Sequence, residues 1–198
     1  MSLRSSHQSV KREGKSFSGV ISSRASVKGV KPAGRKNKAS AEMANRELII
    51  THVFDAPCKI IWKAWTEAKH VEKWWGPYGF TNPLCEWDAR PGGEILVHMQ
   101  GPKGSIYNKV MPMKGEFQAV DALERLVFNT IAIEDANGRP QLETLNTITL
   151  KEYRGKTKLT LEVTVLKATP EAAEALVGMR QGWAQSLEKL SAHIEKMV

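Results

Sequence analysis

The side chains through which this 198-residue chain could do chemistry are five histidines, two cysteines, six tryptophans and a handful of strand-borne carboxylates. His7, His52, His70, His98 and His193 are dispersed. None stands at ligand spacing from another His or Cys, and neither HExxH nor CxxC occurs, so no metal is expected. There is no G-x-S-x-G elbow and no dinucleotide fingerprint, so no cofactor is expected either. Gly29 to Gly34 has the glycine spacing of a phosphate loop, but Arg35-Lys36 follows instead of Lys-Ser/Thr, and no strand precedes it. Glu86, Asp88, Glu94 and Glu116 could act as acid and base if two were buried together. Solvated strand-face carboxylates are the commoner arrangement. His98 alternates with an apolar set and is expected to point outward. His52 could face an interior cavity, as a base or as a hydrogen-bonded structural histidine. No residue is assigned a catalytic role.

The aromatic residues are more informative. Trp62, Trp65, Trp74, Trp75, Trp87 and Trp183 can anchor short helices on a sheet or line a cavity. Trp75, Trp87, Tyr107 and Trp183 are the candidate ligand-binding aromatics, with Ile95, Val97, Met99 and Phe117 beside them. An indole N–H or a phenol hydroxyl can orient a mostly apolar ligand through one polar contact. The methionines Met99, Met111 and Met113 suit an adaptable lining and equally suit ordinary core.

These residues must be positioned by a mixed set of elements. Residues 46–54 are rich in β-formers and predict a strand. Asp55-Ala56-Pro57 offers a capping carboxylate and an early-turn proline for a helix over 57–65. Thr66 is the predicted N-cap of a second helix over about 67–75, which Gly76-Pro77 ends. Strands are predicted at about 83–89, 94–100, 105–120, 125–133, 141–152 and 157–167. Pro91-Gly92-Gly93, Gly101 to Gly104, Asn137-Gly138 and Arg154-Gly155 punctuate them, with Asn-Gly the strongest hairpin signal. Short connections predict an antiparallel meander. Leu159, Leu161, Val163 and Val165 alternate with polar residues, as Ile95, Val97 and Met99 alternate with Leu96, His98 and Gln100. One sheet face is therefore apolar and needs a cover. Thr169-Pro170-Glu171 predicts a capped helix start, and Leu176, Trp183, Leu187, Leu190, Ile194 and Met197 form one helical stripe beyond it. Gly178 and Gly182 within that helix mark a bend or a close approach to the sheet. A seven-stranded sheet cannot press its whole concave face on one helix, so a gap is expected between them.

Charge divides the chain. Residues 1–45 hold ten Lys and Arg against two Glu, whereas residues 46–198 hold nineteen of each sign. The net +8 belongs to the N-terminal segment, so a nucleic-acid surface on the fold itself is not indicated. Residues 1–44 are expected to be a disordered, basic, Ser-rich tail, and 45–198 the folded domain. A transit peptide, a polyanion-binding arm through Lys11, Arg12, Arg35, Lys36 and Lys38, and an extension without function are the readings of the tail. Met43 just before the first strand would make a natural start. Cys58 and Cys85 are too few for a disulfide framework and read as reduced, largely buried thiols of a cytoplasmic protein. No apolar run reaches the roughly eighteen residues of a membrane span.

Several motifs occur in order: Phe54-Asp55-Ala56-Pro57, Ile61 to Thr66 (IWKAWT), Trp74-Trp75-Gly76-Pro77, Phe80-Thr81-Asn82-Pro83, Arg90-Pro91-Gly92-Gly93, Met99-Gln100-Gly101-Pro102, and Glu124 to Phe128 (ERLVF). Gly182-Trp183 and Ser186-Leu187 follow in the last helix. The chain resembles, over about 46–196, the family of homologues of the C-terminal domain of the activator of the heat-shock chaperone ATPase. That family lies within the START and birch-pollen-allergen superfamily. The resemblance implies an α+β helix-grip fold: a seven-stranded curved antiparallel sheet wrapped around a long C-terminal helix, with two short helices after the first strand. Carriers of hydrophobes, polyketide cyclases and co-chaperone domains all belong to the superfamily, and fold alone does not choose among them. The leading expectation is non-catalytic binding of a small hydrophobic molecule between sheet and helix. The alternatives are a cyclase- or hydrolase-like enzyme on a bound apolar substrate, and a co-chaperone-like stimulator of a chaperone ATPase. The full co-chaperone carries a further N-terminal domain, for which the tail here is too short. No specific nucleic-acid partner is expected, and a homodimer through an exposed sheet face is an open alternative.

Overall fold

The computed structural model describes residues 46–198, and the predicted tail over 1–44 lies outside them. Strand β1 (Glu47–Phe54) is followed by helices α1 (Cys58–Thr66) and α2 (Ala68–Trp74). Six strands then run in succession: β2 (Thr81–Trp87), β3 (Glu94–Gln100), β4 (Val110–Asp121), β5 (Arg125–Glu134), β6 (Pro140–Tyr153) and β7 (Lys156–Ala168). A 3₁₀ turn, Pro170–Ala172, leads into the long helix α3 (Ala173–Ile194). The sheet order is β1-β7-β6-β5-β4-β3-β2, with every neighbouring pair antiparallel. This is the predicted helix-grip architecture.

Period-two alternation sets the faces. On β7, Leu159, Leu161, Val163 and Val165 are buried; on β6, every even position from Leu142 to Leu150 is buried. From α3, Leu187, Leu190 and Ile194 close on this surface, with Trp183 and Met197 half-buried beside them. Leu176 and Met179 join a smaller cluster with Leu142, Val165 and Ala172.

Tryptophans tie α1 to α2 and to the sheet. The last turn of a helix leaves carbonyls without helical partners. The indole N–H of Trp74 donates to the Ala64 carbonyl at 3.0 Å, and that of Trp87 donates to the Trp65 carbonyl at 2.8 Å. Each ring thereby fills the core and satisfies a buried acceptor.

Local chemistry departs from expectation in several places. Asp55 does not cap α1; its exposed carboxylate pairs with Lys156 at 3.3 Å. Glu152, arriving from β6, accepts the Cys58 backbone N–H at 2.6 Å instead. Thr66 caps nothing, because its hydroxyl donates back to the Trp62 carbonyl at 2.9 Å. Thr169 makes no cap bond either, and its hydroxyl donates to Gln141 Oε1 at 2.8 Å. The strand predicted from 105 begins only at Val110. Successive turn bonds, Ser105 N–H to Pro102 O and Asn108 N–H to Ser105 O, hold the preceding residues out of the ladder. Gly182 approaches the Gly76-Pro77 loop rather than the sheet: a Cβ there would stand 3.6 Å from Pro77 Cγ.

Candidate ligand-binding site

Between α3 and the β5–β6 region of the sheet lies a cavity of about 160 Å³. Its position follows from side-chain size. At the 182–186 turn, α3 presents Gly182 and Ser186, while Ala132 and two threonines face it from the sheet, so small side chains meet small side chains and leave a void. Trp75 and Trp183 form an aromatic wall, their rings edge-to-face with centroids 5.2 Å apart. Met113, Leu142, Ala175 and Met179 add apolar surface.

The inward face of the sheet is interrupted by a polar patch at this point. Thr130 of β5 and Thr144 of β6 are directly opposed, and their hydroxyl oxygens are 2.8 Å apart. Asn146, fully buried and opposed to Phe128, donates its amide to Phe128 O at 3.3 Å, to Thr144 Oγ1 at 3.2 Å and to Thr130 Oγ1 at 3.4 Å. Ser186 on the helix side donates to the Gly182 carbonyl at 2.8 Å. No charged side chain stands among the lining residues.

One edge is fastened from α3. The half-buried Lys189 ammonium donates to the carbonyls of Gly76 at 3.0 Å and Trp75 at 3.2 Å, and reaches Pro77 and Phe80 at 3.4 Å. Burial lowers its pKa from the ordinary lysine range. Tyr78 adds a hydroxyl bond to Glu188 at 2.6 Å and a backbone bond to Gln185 at 3.1 Å.

Of the residues singled out in the sequence, Trp75 and Trp183 line the cavity. Trp87, Ile95, Val97 and Phe117 lie in the core on the same sheet face, with Trp87 and Phe117 edge-to-face at 5.3 Å. Met99 is half-buried beside that core, its Sδ near Gly76. Tyr107 stands apart, 42% exposed in the β3–β4 loop and 5.9 Å from the Phe80 ring. His52 lies against α3, bonded to Ser191 Oγ at 2.8 Å, and burial lowers its pKa. The carboxylates Glu86, Asp88, Glu94 and Glu116 are exposed, and Asp88 pairs with Arg90 at 2.7 Å. Both cysteines are free thiols; burial pushes Cys85 up to about 11 and raises Cys58, whose Sγ donates to Leu123 O. Sequence reasoning missed the polar patch. Its signal was there: Thr130, Thr144 and Asn146 share the parity of Leu126, Phe128, Leu142, Ile148 and Leu150, and so interrupt an inward apolar run.

Residues 55–195 match the sequence profile of the Activator of Hsp90 ATPase homolog 1-like protein family. The chain belongs to this family. Solved structures agree on the fold. A Mycobacterium smegmatis protein is 26% identical, with a TM-score of 0.64 over 79% of this chain and 95% of its own. A Nitrosomonas europaea protein is 24% identical, with a TM-score of 0.62 over 78% of this chain and 97% of its own. The Silicibacter pomeroyi protein bearing the AHSA1 family name is 19% identical, with a TM-score of 0.63 over 77% and 99%. No curated protein sequence matches significantly. Among the described residues, no helix is long and apolar enough to cross a membrane.

Proposed function

We propose that this member of the activator-homologue family binds a small, mainly apolar molecule in the cavity between the sheet and α3, without chemical turnover. The observation that carries the reading is the lining itself: two indole rings and aliphatic side chains around a buried patch of neutral hydrogen-bonding groups. Such a lining gives affinity through apolar contact and orientation through a few polar ones. It supplies no titratable group for proton transfer, which favours binding over a cyclase- or hydrolase-like reaction. The family description favours a second reading, stimulation of a heat-shock chaperone ATPase, in which an outer surface of the domain would be the functional one. Native mass spectrometry of the purified full chain, followed by denaturing extraction, tests the first reading. A defined co-purifying hydrophobe supports it. An empty protein that raises the ATPase rate of a heat-shock chaperone transfers the assignment to the second.

A further inference from the structure

We propose that the free edge of β1 is a docking site for β1 of a second copy of this chain, the two strands running antiparallel about a two-fold axis at Ile50. The sheets of the two copies then become one continuous sheet, whatever the cavity beneath α3 holds.

β1 ends the sheet order, so one of its sides has no neighbouring strand. The Arg46 carbonyl accepts from the Val165 N–H of β7 at 2.7 Å. Backbone groups alternate in direction along a strand, so Leu48, Ile50, His52 and Phe54 also face β7. The N–H and C=O groups of Glu47, Ile49, Thr51 and Val53 therefore face the open side, and among the described residues no turn, loop or side chain bonds to them. Such a row of unpaired backbone groups is a template for another strand.

The two edges of the sheet are built differently. On β2, Pro83 lacks an N–H, and the register with β3 shifts between Thr81 and Leu84. Proline and bulges both blunt an edge against pairing. β1 carries no proline and no lysine, and its register with β7 is unbroken from Glu47 to Phe54. Ile49 and Val53 are 59% and 58% exposed on its outer face.

The residues of β1 select their own copy as the occupant. An antiparallel partner engages all the outward residues when Ile50 lies on the axis. Glu47 then pairs with Val53 of the second copy, and Ile49 with its Thr51, each pair exchanging two N–H···O bonds. Ile50, half-buried on the inner face, meets its counterpart in the closer, non-hydrogen-bonded position. Charge matches on the outer face. Lys158 of β7 stands beside Val53, so Glu47 lies across a single strand from Lys158 of the second copy. Both residues are exposed, and neither has an ion-pair partner among the described residues.

Sedimentation velocity and amide hydrogen exchange of the purified full chain, each over a range of concentrations, test the proposal. A reversible dimer is expected, with exchange at Ile49, Thr51 and Val53 slowing as it forms. The double variant Ile49→Lys with Thr51→Lys sets like charges opposite one another across the axis and should weaken the dimer at least about tenfold. Ile49→Glu with Thr51→Glu should do the same, and mixing the two variants should restore association. All these side chains are exposed, so the fold is retained. Thr51→Pro is a second route: it removes an outward N–H, spares the bonds to β7, and should also weaken the dimer. A monomer at every concentration overturns the proposal. So does a dimer that none of these variants weakens, or a mixture of the two charge variants that stays monomeric. Protection of the three amides that does not change with concentration assigns the edge to another part of the chain and overturns it as well.

Discussion

Replacing Gly178 and Gly182 by alanine separates what α3 does for stability from what it does for the cavity. Neither glycine has a positive φ, and both lie inside a 22-residue helix. A Cβ at Gly178 would meet nothing within 4 Å, and one at Gly182 would meet only Pro77 Cγ at 3.6 Å, an ordinary contact. Glycine inside a helix is about 0.8–1.0 kcal/mol worse than alanine, because the unfolded chain has more freedom to lose. Each substitution should therefore stabilise the domain by about 1 kcal/mol, a rise in Tm of about 2–4 °C for a domain of this size. Their effects on binding should differ. Gly182 lines the cavity and Gly178 does not, so Gly182→Ala should weaken uptake of a small apolar probe while Gly178→Ala leaves it unchanged. Thermal and urea unfolding measure the first effect, and probe titration the second. A fall in stability for Gly178→Ala would refute the placement of that residue in open space on a continuous helix. Equal probe binding by both variants would refute the placement of Gly182 in the cavity wall.

Three further perturbations test the framework around the site. Trp87→Phe keeps a ring in the core but removes the donor to the Trp65 carbonyl; urea unfolding should show a loss of about 2–3 kcal/mol, and a loss under 0.5 kcal/mol would dismiss the indole's bonding role. Lys189→Met preserves the aliphatic stem and strips the donor from the carbonyls of Trp75 and Gly76; about 1–3 kcal/mol should be lost, with hydrogen exchange at 75–80 accelerating more than in β6. His70 and His193 face each other across α2 and α3, Nδ1 to Nε2 at 3.0 Å, and burial is the main cause lowering both from 6.5. Lys63 and Lys69 lower His70 further while Glu67 raises it, and Lys73 and Lys196 lower His193 further. On acidification the unfolded chain therefore takes up these protons first, so their contribution is complete above about pH 6.5 and falls as the pH drops through the folded values. Urea unfolding at pH 7.5 and 5 should show that loss, and His193→Gln should reduce it; an unchanged slope would rule the pair out as its source.

The fold was legible because its strongest signals are periodic. The alternation of β7 and the heptad-like stripe of α3 depend on which face is buried, and burial extends over many residues. End chemistry was less legible. Asp55, Thr66 and Thr169 all carry the side chain of an N-cap, yet each finds another partner or none at its helix, and the acceptor that serves α1, Glu152, is 94 residues away. Turn chemistry divides similarly. Arg154 and Gly155 both have positive φ and make the two-residue hairpin between β6 and β7. The Asn137-Gly138 pair sits in a longer loop, where Asp135 Oδ1 accepts the N–H groups of Asn137 and Arg139. The site was half visible. Trp75 and Trp183 stand out by residue type, whereas Thr130, Thr144 and Asn146 look like ordinary strand residues until parity places them inward. Tyr107 shows the opposite effect, an aromatic whose neighbours, Gly101 and the turn after Pro102, fix it in an exposed loop.

The central claim, that the space beneath α3 is a ligand site, is tested most directly by methyl NMR of the full chain titrated with benzene. The account predicts saturable shifts at Met113, Ala132, Ala175 and Met179, with Ile49, Val53 and Ile106, which lie on exposed surface, unmoved. Shifts confined to those exposed methyls, or none that saturate at the cavity methyls, would contradict it.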